Sequence, residues 1–371
     1  MEDARRERDR IGVAVVGAGR MGAHRARLAA THPAVDFLAV ADVDRSRAER
    51  LAEQTGAQLA TADPSEVIDD PHVTTVIVST PEPDHAAPAI EAIRAGKAVL
   101  VEKPLATTRD DADAIIAAAK EHDVTVRVGY SQRFRRDVFL GKRYIDEGRL
   151  GRIVGGANRV LNSRAQAFAI FERTTVSPVV DVLTYWLDVM GWYLDGNPPI
   201  EVYAAGHGTV LRERTGPDGP DDITTAVVRH ADGAVVSYTI CYSLPVDYPT
   251  FGQGIRLEVM GTEGSLLLDL DNRQNVIVSD RGVDHPYVRD HAKYVGYVGS
   301  TTSGDWALGR MFGPLADETR AWLDHLATGS ELQITTPEQA RWALELALAM
   351  ETAAESGQPV HLAPVSVPPL R

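Results

Sequence analysis

The 371-residue sequence has almost no cysteine, no long apolar run and too few basic residues to balance its acidic ones. Its single cysteine, Cys241, excludes a disulfide framework and any metal site built from clustered cysteines. No apolar stretch reaches the ~18–20 residues of a membrane-spanning helix. With 38 Lys and Arg against 52 Asp and Glu, the net charge of −14 disfavours binding to nucleic acid or anionic membranes. We therefore expect a soluble protein of a reducing compartment, the cytoplasm.

The length and the apolar content predict about two domains. Hydrophobic residues make up 44% of the chain, and a domain typically takes ~150 residues. Residues 1–10 are charged and lack the apolar core of an export signal, so we expect a disordered or polar N-terminus. We expect a first domain over residues 11–135, a second over 136–362, and a loosely ordered tail over 363–371.

Short apolar segments alternate with amphipathic helices in the first domain. The segments are rich in Val, Ile and Ala and are bounded by turn residues, as strands buried on both faces are. This alternation predicts an α/β fold with a doubly wound parallel sheet. The predicted strands are Ile11–Val16, Val35–Ala41, Val73–Thr80, Ala98–Val101 and Thr125–Tyr130, and the helices are Met21–Ala30, Ser46–Thr55, Asp84–Ala95 and Thr108–His122.

The second domain has a different pattern, with polar and apolar residues alternating between turns rich in Gly and Asp. This pattern predicts an α+β domain with an open, mainly antiparallel sheet. Its strands are expected at Val154–Val160, Glu201–Thr209, Ile223–His230, Ala234–Tyr242, Ile255–Met260, Ser265–Leu270 and Asn275–Ser279. Helices are expected at Asp137–Glu147, Val179–Tyr193, Pro314–Ala327 and Pro337–Ala354, and the last two are candidates for packing back on the first domain. Asp280–Asp305 reads as a long loop, typical of a lid or an oligomer contact.

A glycine-rich turn joins the first strand to the first helix. In Gly17-Ala18-Gly19-Arg20-Met21-Gly22, the three glycines allow a tight turn, close approach of a pyrophosphate, and packing of the helix on the sheet. The helix N-terminus then offers N–H groups to the phosphates. Asp42 ends the second strand, where an acid can bind the ribose hydroxyls. Together these features predict a dinucleotide site.

The same strand end bears on the choice of dinucleotide. The carboxylates of Asp42 and Asp44 would repel a 2′-phosphate, which favours NAD over NADP. Arg45 is the opposing feature, because a basic residue there can accommodate that phosphate. NADP therefore stays open.

Two further strand ends carry polar residues. Ser79-Thr80-Pro81 is followed by His85, and Glu102-Lys103-Pro104 follows a buried strand. Ligands of open α/β sheets bind beyond the carboxyl ends of the strands. An ammonium at Lys103 can hydrogen-bond a substrate hydroxyl and the nicotinamide ribose and take part in proton movement.

These motifs, with T-P-E-P-D-H, A-G-K-A-V-L-V-E-K-P-L-A and G-Y-S-Q-R-F, resemble the Gfo/Idh/MocA oxidoreductases over about Ile11 to Leu362. The resemblance implies a Rossmann-like NAD(P)-binding domain and a second domain that binds substrate and often forms the oligomer interface, as a dimer or tetramer. It implies hydride exchange between nicotinamide and a secondary alcohol or ketone of a sugar, sugar derivative or inositol. The residues that it assigns to cofactor binding are Gly17, Gly19, Arg20, Met21, Gly22, Asp42, Arg45, Ser79, Thr80, Pro81, His85, Glu102, Lys103 and Gln132.

Many members of this family carry Asp, His and Asp at fixed spacing on the first long helix of the second domain. This chain has Asp181, Tyr185 and Asp188 there, so a tyrosine replaces the histidine. Residues four apart share one face of a helix, and Asp181 and Tyr185 are therefore expected together. A phenol needs its pKa of ~10 lowered, for example by an ammonium such as Lys103. We therefore expect Lys103, Asp181 and Tyr185 to be the catalytic residues.

The resemblance also suggests substrate-binding residues beyond the catalytic three. Asn162 matches an Asn that reaches the substrate in similar members, although the residues before it do not match the family pattern. Arg133 matches a position that often lines the junction of cofactor and substrate. Arg159 and Arg164 are candidates for polar or acidic substrate groups, and Tyr242 for a hydroxyl.

Other chemistry has less support. The eleven histidines show no metal-binding spacing, and no G-x-S-x-G of a serine hydrolase occurs. Three alternatives stay open: a glycosidase or lyase that oxidises a sugar transiently with NAD, a non-catalytic NAD-binding regulator, and a reductase of non-sugar substrates such as dihydrodiols.

Overall fold

The structure is a computed structural model that describes residues 10–171, 176–195, 197–248, 253–270, 276–284, 292–297 and 304–363. The chain divides into two compact units. The first comprises Met1–Phe134 and Ser303–Leu344, and the second comprises Arg135–Thr302 and Glu345–Arg371. The expected N-terminal segment and nearly all of the expected tail lie outside the described residues.

The first unit begins with a six-stranded sheet that is parallel throughout the described residues. In the sheet the order is β3-β2-β1-β4-β5-β6, as the predicted doubly wound fold requires, and the prediction is confirmed. The strands are β1 (Ile11–Val16), β2 (Val35–Ala41), β3 (Leu59–Thr61), β4 (Thr75–Val78), β5 (Ala98–Glu102) and β6 (Val126–Gly129). The helices are α1 (Arg20–Ala30), α2 (Arg45–Thr55), α3 (Pro64–Ile68), α4 (Ala86–Arg94) and α5 (Arg109–His122).

Side-chain caps explain where several of these helices begin. Asp44 accepts a hydrogen bond from the Ser46 N–H at the start of α2, and Thr108 accepts one from the Asp111 N–H at the start of α5. Asp63 caps α3, and Pro64 occupies its first turn. The sequence contained this start signal, but β3 and α3 were not predicted, because three and five residues are too few for a hydrophobic period to be read.

The second unit contains a seven-stranded sheet among its described residues, in the order β12-β11-β7-β10-β9-β8-β17, where β17 is Val360–His361. Of the strand pairs that the structure describes in this sheet, β7 and β10 alone are parallel, so the sheet is mixed and mostly antiparallel, as predicted. The strands of this unit are β7 (Ile153–Ser163), β8 (Pro199–His207), β9 (Ile223–His230), β10 (Val235–Leu244), β11 (Gln253–Gly261), β12 (Ser265–Asp269), β13 (Val276–Asp284) and β14 (Ala292–Tyr297). The helices are α6 (Arg136–Asp146), α7 (Arg164–Phe171), α8 (Thr184–Tyr193) and α9 (Val210–Thr215).

Three features of this unit differ from the sequence prediction. The helix expected over Val179–Tyr193 begins with a π-helical turn, Val179–Leu183, before α8. Helices α7 and α9 were not predicted, because they are short and follow strands directly. The prediction of one long loop over Asp280–Asp305 is wrong in part, because β13 extends to Asp284 and pairs with β14. Residues 285–291 and 298–303 of that loop lie outside the described residues.

The chain then contributes its closing elements, namely β15 (Asp305–Ala307), β16 (Arg310–Phe312), α10 (Pro314–Thr328), α11 (Pro337–Ser356) and β17 (Val360–His361). Trp322 and Leu323 of α10 join the apolar core of the first unit with Val13, Val40 and Leu100. In the second unit, β17 pairs with β8. Within the described part of the chain, no helix has both the length and the apolar character needed to span a bilayer.

A buried ion cluster connects α1, β5 and α10 in the first unit. The Arg25 guanidinium lies 2.8 Å from Glu102 Oε1 and 2.6 Å from Glu318 Oε2, and it also donates to Thr319. Burial alone would lower the pKa of Arg25, but the two carboxylates raise it. The cluster therefore fixes the end of β5 immediately before Lys103.

Candidate active site

The turn between β1 and α1 has no room for side chains at its first and third glycines. A Cβ on Gly17, which has φ of +100°, would lie 2.4 Å from the carbonyl oxygen of Ser79, and a Cβ on Gly22 would lie 1.8 Å from that of Gly17. Gly19 differs, because a Cβ there would meet no atom within 4 Å. The open space lies over a helix N-terminus that has no side-chain cap and no acidic residue in its first turn. This arrangement fits a pyrophosphate.

Asp42 connects the end of β2 to the glycine turn. Its Oδ2 accepts a hydrogen bond from the Ala18 N–H at 2.8 Å, and its Oδ1 accepts one from the Asp44 N–H at 2.9 Å. Each carboxylate oxygen keeps a further lone pair that a ribose hydroxyl can use. The predicted position of an acid at this strand end therefore fits a dinucleotide.

The neighbouring residues Asp44 and Arg45 have structural partners. Asp44 is the N-cap of α2, and hydrogen bonds from Ser46 lower the pKa of Asp44. The exposed guanidinium of Arg45 lies 2.8 Å from Glu49 Oε1, one turn along the same helix. A 2′-phosphate would have to compete with Glu49 for Arg45, which is an argument for NAD. The binding roles of Arg20, Met21 and Arg45 stay predictions.

His85 connects the loops that follow β4 and β5. Its Nδ1 lies 2.8 Å from the carbonyl oxygen of Pro104, and its Nε2 lies 3.1 Å from that of Thr80. Burial lowers the pKa of His85, so the ring is neutral and one nitrogen donates at a time. His85 therefore holds the Lys103–Pro104 loop against the strand end that carries Ser79, Thr80 and Pro81. The buried Ser79 Oγ has no hydrogen-bond partner within the described ranges.

The remaining predicted residues of the first unit follow β5 and β6. Glu102 uses its carboxylate for the ion pair with Arg25, and Lys103 is half-buried immediately after it. Gln132 and Arg133 are buried in the 3₁₀ turn Ser131–Phe134. The Arg133 Nη2 donates to the side-chain oxygen of Gln339 at 3.1 Å, which is a contact that the sequence could not have revealed.

The second unit brings together three of the predicted residues. The Tyr242 hydroxyl donates to Asp181 Oδ2 at 3.2 Å, and both groups are buried. Cys241 of β10 is paired with Leu161 of the adjacent parallel strand β7. Tyr242 and Asn162 are the next residues of these two strands, so they occupy adjacent positions. Tyr242 and Asn162 are both buried, and the carboxamide of Asn162 has no hydrogen-bond partner in the described part of the chain.

Two predicted arginines do not join this group. Residues along a strand alternate between the two faces of a sheet. Asn158, Val160 and Asn162 are on the buried face of β7, whereas Arg159 is exposed on the other face, opposite Arg256. Arg164 begins α7, with its Nε 3.5 Å from the carbonyl oxygen of Leu244. Neither arginine is shown to belong to the Asp181–Tyr242 group.

The segment that carries Asp181 and Tyr185 is anchored by a long-range hydrogen bond. Ser177 Oγ donates to the Glu351 carboxylate of α11 and accepts from the Val180 N–H at 3.2 Å, while the Ser177 carbonyl accepts from the Asp181 N–H. Asp181 then lies in the π-helical turn and Tyr185 in the first turn of α8. π-Helical turns are common at functional sites. Sequence reasoning missed Ser177 and Glu351, because no local pattern connects residues so far apart.

Among the described residues, no group of three or more His, Cys, Asp or Glu side chains is arranged to hold a metal ion. The first unit carries a helix start suited to phosphate, and the second unit carries its own group of neutral and acidic hydrogen-bonding side chains.

Comparisons with known proteins agree with this arrangement. Residues 11–130 match the family model for the Gfo/Idh/MocA oxidoreductase family, NAD-binding Rossmann fold, and residues 141–267 match the model for the Gfo/Idh/MocA C-terminal domain. The chain belongs to this family of NAD-binding oxidoreductases, and the resemblance read from the sequence is confirmed.

Particular relatives are similar over most of their length. The chain is 30% identical to scyllo-inositol 2-dehydrogenase (NAD(+)) of Bacillus subtilis, over 75% of this chain and 79% of the relative. It is 33% identical to inositol 2-dehydrogenase of Acidothermus cellulolyticus, over 76% and 79%. The solved structure of scyllo-inositol dehydrogenase from Lactobacillus casei with NAD(H) and scyllo-inositol shares the fold, with a TM-score of 0.78, 18% identity, and coverage of 95% and 99%.

The anchoring acid Glu351 gives a pH-dependent prediction. Burial raises the pKa of Glu351, although the hydrogen bond from Ser177 opposes this. As the pH rises, the unfolded chain therefore releases the Glu351 proton near the ordinary pKa of about 4.3, whereas the folded chain releases it at a higher pH. The destabilising contribution of Glu351 consequently grows as the pH rises from the unfolded pKa through the folded pKa. We expect Glu351→Gln, which keeps an acceptor for Ser177, to gain stability relative to the wild type as the pH is raised from about 4, at the unfolded pKa, to 8.

Chemical denaturation at several pH values measures this difference. Glu263→Gln, an exposed acid of the same unit, is the matched control and should show no such trend. A stability difference between Glu351→Gln and the wild type that does not vary with pH would contradict the assignment.

Proposed function

We propose that this chain oxidises a secondary alcohol of an inositol or related sugar, or reduces the corresponding ketone, with NAD as the hydride carrier. The observation that supports it most is the buried Asp181–Tyr242–Asn162 group, which offers a neutral polyol one carboxylate, one phenol and one carboxamide. The names of the two inositol dehydrogenase relatives give the same substrate class. Bound NAD supplies a nicotinamide ring that accepts or returns hydride.

The proton chemistry is assigned to three residues. As hydride leaves the carbon of the alcohol, the single hydroxyl proton passes to the phenolate oxygen of Tyr185, and the Lys103 ammonium stabilises that phenolate. The Asp181 carboxylate orients the hydroxyl or tunes Lys103. In the reverse direction, the same groups return the proton to the oxygen while hydride adds to the carbon. Loss of one hydride and one proton converts the alcohol to the ketone.

The predicted domains keep their assigned roles in this proposal. Residues 11–135 bind the dinucleotide, with Gln132 and Glu102 among the supporting residues. Residues 136–362 bind the substrate and carry the oligomer interface. Arg133 and Arg164 stay candidates for substrate contacts, whereas Arg159 lies on the face of β7 opposite to Asn162 and does not fit that role. We also propose a cytoplasmic location, based on the single cysteine and the acidic, polar composition.

A homo-oligomer, either a dimer or a tetramer, is part of the proposal. The exposed face of the seven-stranded sheet carries large apolar side chains, including Leu267, Val227 and Tyr203, which are 69%, 47% and 48% exposed. These three residues lie in one row across the sheet. Tyr203 and Val227 are paired neighbours in this row, and Ser237, Ala157 and Glu258 separate Val227 from Leu267. Neighbouring exposed apolar side chains of this kind are found at protein–protein contacts.

Removal of either proton-transfer group tests the mechanism. We expect Lys103→Ala and Tyr185→Phe each to lower kcat by about 10²–10⁴-fold, the usual contribution of general acid–base catalysis. The measurement is the absorbance of reduced cofactor with a panel of inositols and sugars and with NAD or NADP. Lys120→Ala and Tyr144→Phe, on exposed helix surfaces, are the matched controls. Wild-type turnover in both active-site variants would contradict the role assignments.

Asp42 determines the cofactor preference in this proposal. We expect Asp42→Ser to lower kcat/KM with NAD about tenfold or more, because a ribose contact worth ~1.4 kcal/mol or more is lost. The ratio of the NADP to the NAD value should rise, since the repelling carboxylate is gone. Asp36→Ser, an exposed residue of the same strand, controls for surface charge. An unchanged NADP to NAD ratio in Asp42→Ser would show that Asp42 does not select the cofactor.

A further inference from the structure

The second unit buries carboxamides near the Asp181–Tyr242 group whose hydrogen bonds the described part of the chain does not complete. Asn162, at the end of β7, is 0% exposed, and neither its Oδ1 nor its Nδ2 has a hydrogen-bond partner in the described part of the chain. Gln166, four residues later in the first turn of α7, is 6% exposed, and its Oε1 also has no partner there. Most buried polar side-chain atoms in proteins are hydrogen-bonded, so each exception calls for an explanation.

The position of α7 relates Gln166 to the group already described. Helix α7 contacts both β7 and β10, the strands that carry Asn162 and Tyr242. The ring of Phe171, at the end of α7, lies 6.2 Å from that of Tyr242, which donates to Asp181. Gln166 therefore belongs to a helix that is packed directly on the wall formed by Asn162, Tyr242 and Asp181.

Another buried carboxamide of the same strand serves a different purpose. Asn158 lies on the same face of β7 as Asn162, about 13 Å earlier at the rise of an extended strand. Its Nδ2 donates to the carbonyl oxygen of Arg256 on β11, so one hydrogen bond of the chain anchors the Asn158 side chain, although its Oδ1 has no partner in the described part of the chain. Neither polar atom of the Asn162 side chain has such an anchor, and neither does Gln166 Oε1, which is expected of groups that contact a ligand.

The chemistry of the ligand follows from the kind of group. A carboxamide is neutral and presents an acceptor oxygen and donor N–H groups, and a hydroxyl can both donate and accept. A site with unsatisfied amides discriminates strongly against an analogue that lacks the matching hydroxyl, because a buried polar group then stays unpaired. These amides therefore suit a ligand with several hydroxyls and no charge.

We propose that Gln166 is a substrate-specificity residue whose Oε1 accepts a hydrogen bond from one hydroxyl of a neutral polyol, beside the hydroxyls bound by Asn162 and Asp181. The inference rests on the proposed function and adds to it a second amide that selects for a hydroxyl at one position of the substrate. Sequence patterns did not reveal Gln166, because nothing in the sequence distinguishes it from a glutamine on a helix surface.

The test is a comparison of kcat/KM on one inositol and its series of monodeoxy analogues, for the wild type and three variants. We expect Gln166→Met, which has similar length and no acceptor oxygen, to lower kcat/KM on the full polyol about tenfold, mainly through KM. On the one analogue that lacks the contacted hydroxyl, Gln166→Met and the wild type should be equal. Gln166→Glu retains an acceptor and should recover most of the loss.

Asn158→Leu is the matched control, since it removes another buried carboxamide of the same unit. We expect it to lower the melting temperature without changing the order of preference among the analogues. Equal losses on every analogue in Gln166→Met, or no loss on the full polyol, would overturn the assignment of Gln166 alone. A wild type that reduces NAD with no polyol of the panel would instead contradict the proposed function.

Discussion

A hydrogen-bonding group that is buried without a partner costs about 1–3 kcal/mol, and the two units of this chain meet that constraint in different ways. In the first unit, two buried charged groups are satisfied internally, because two carboxylates hold Arg25 and two backbone N–H groups donate to Asp42, whereas the buried Ser79 Oγ has no partner among the described residues. The second unit leaves the carboxamides of Asn162 and Gln166 without a partner among the described residues. The first arrangement gives a rigid frame for a cofactor, and the second leaves hydrogen bonds for a substrate to complete.

The internal partners also position the reactive strand ends. Arg25 fixes Glu102 at the end of β5, and His85 joins the loops after β4 and β5 through two carbonyl oxygens. Lys103 lies between these two constraints in the sequence, so its backbone is held on both sides. In the second unit, Ser177 and Glu351 hold the start of the segment that carries Asp181. The proposed catalytic side chains thus depend on residues that themselves take no part in the chemistry.

The sequence predicted those features that depend on neighbours along the chain. The glycine turn, the position of Asp42 directly after β2 and the parallel strands were predicted correctly, because local sterics and hydrophobic periodicity determine them. The Arg25–Glu318 and Ser177–Glu351 contacts join residues far apart in sequence, and no periodic pattern of residues predicts them. Arg159 was grouped with Asn162 by proximity in sequence, although three residues along a strand place them on opposite faces. The pattern of apolar residues does not distinguish the π-helical turn before α8 from an α-helix.

Two of the three alternative functions differ from the proposal in the fate of the hydrogen on the alcohol carbon, and the third differs in its substrate. A regulator moves no hydrogen, a transient oxidation returns it to the product, and a dihydrodiol reductase takes a different substrate. The most direct test is therefore to incubate the protein with NAD and an inositol that carries deuterium on its ring carbons, and to analyse the nicotinamide by mass spectrometry. The account predicts reduced cofactor that contains one deuterium per molecule. Cofactor that stays oxidised, or that is reduced without deuterium, would contradict it.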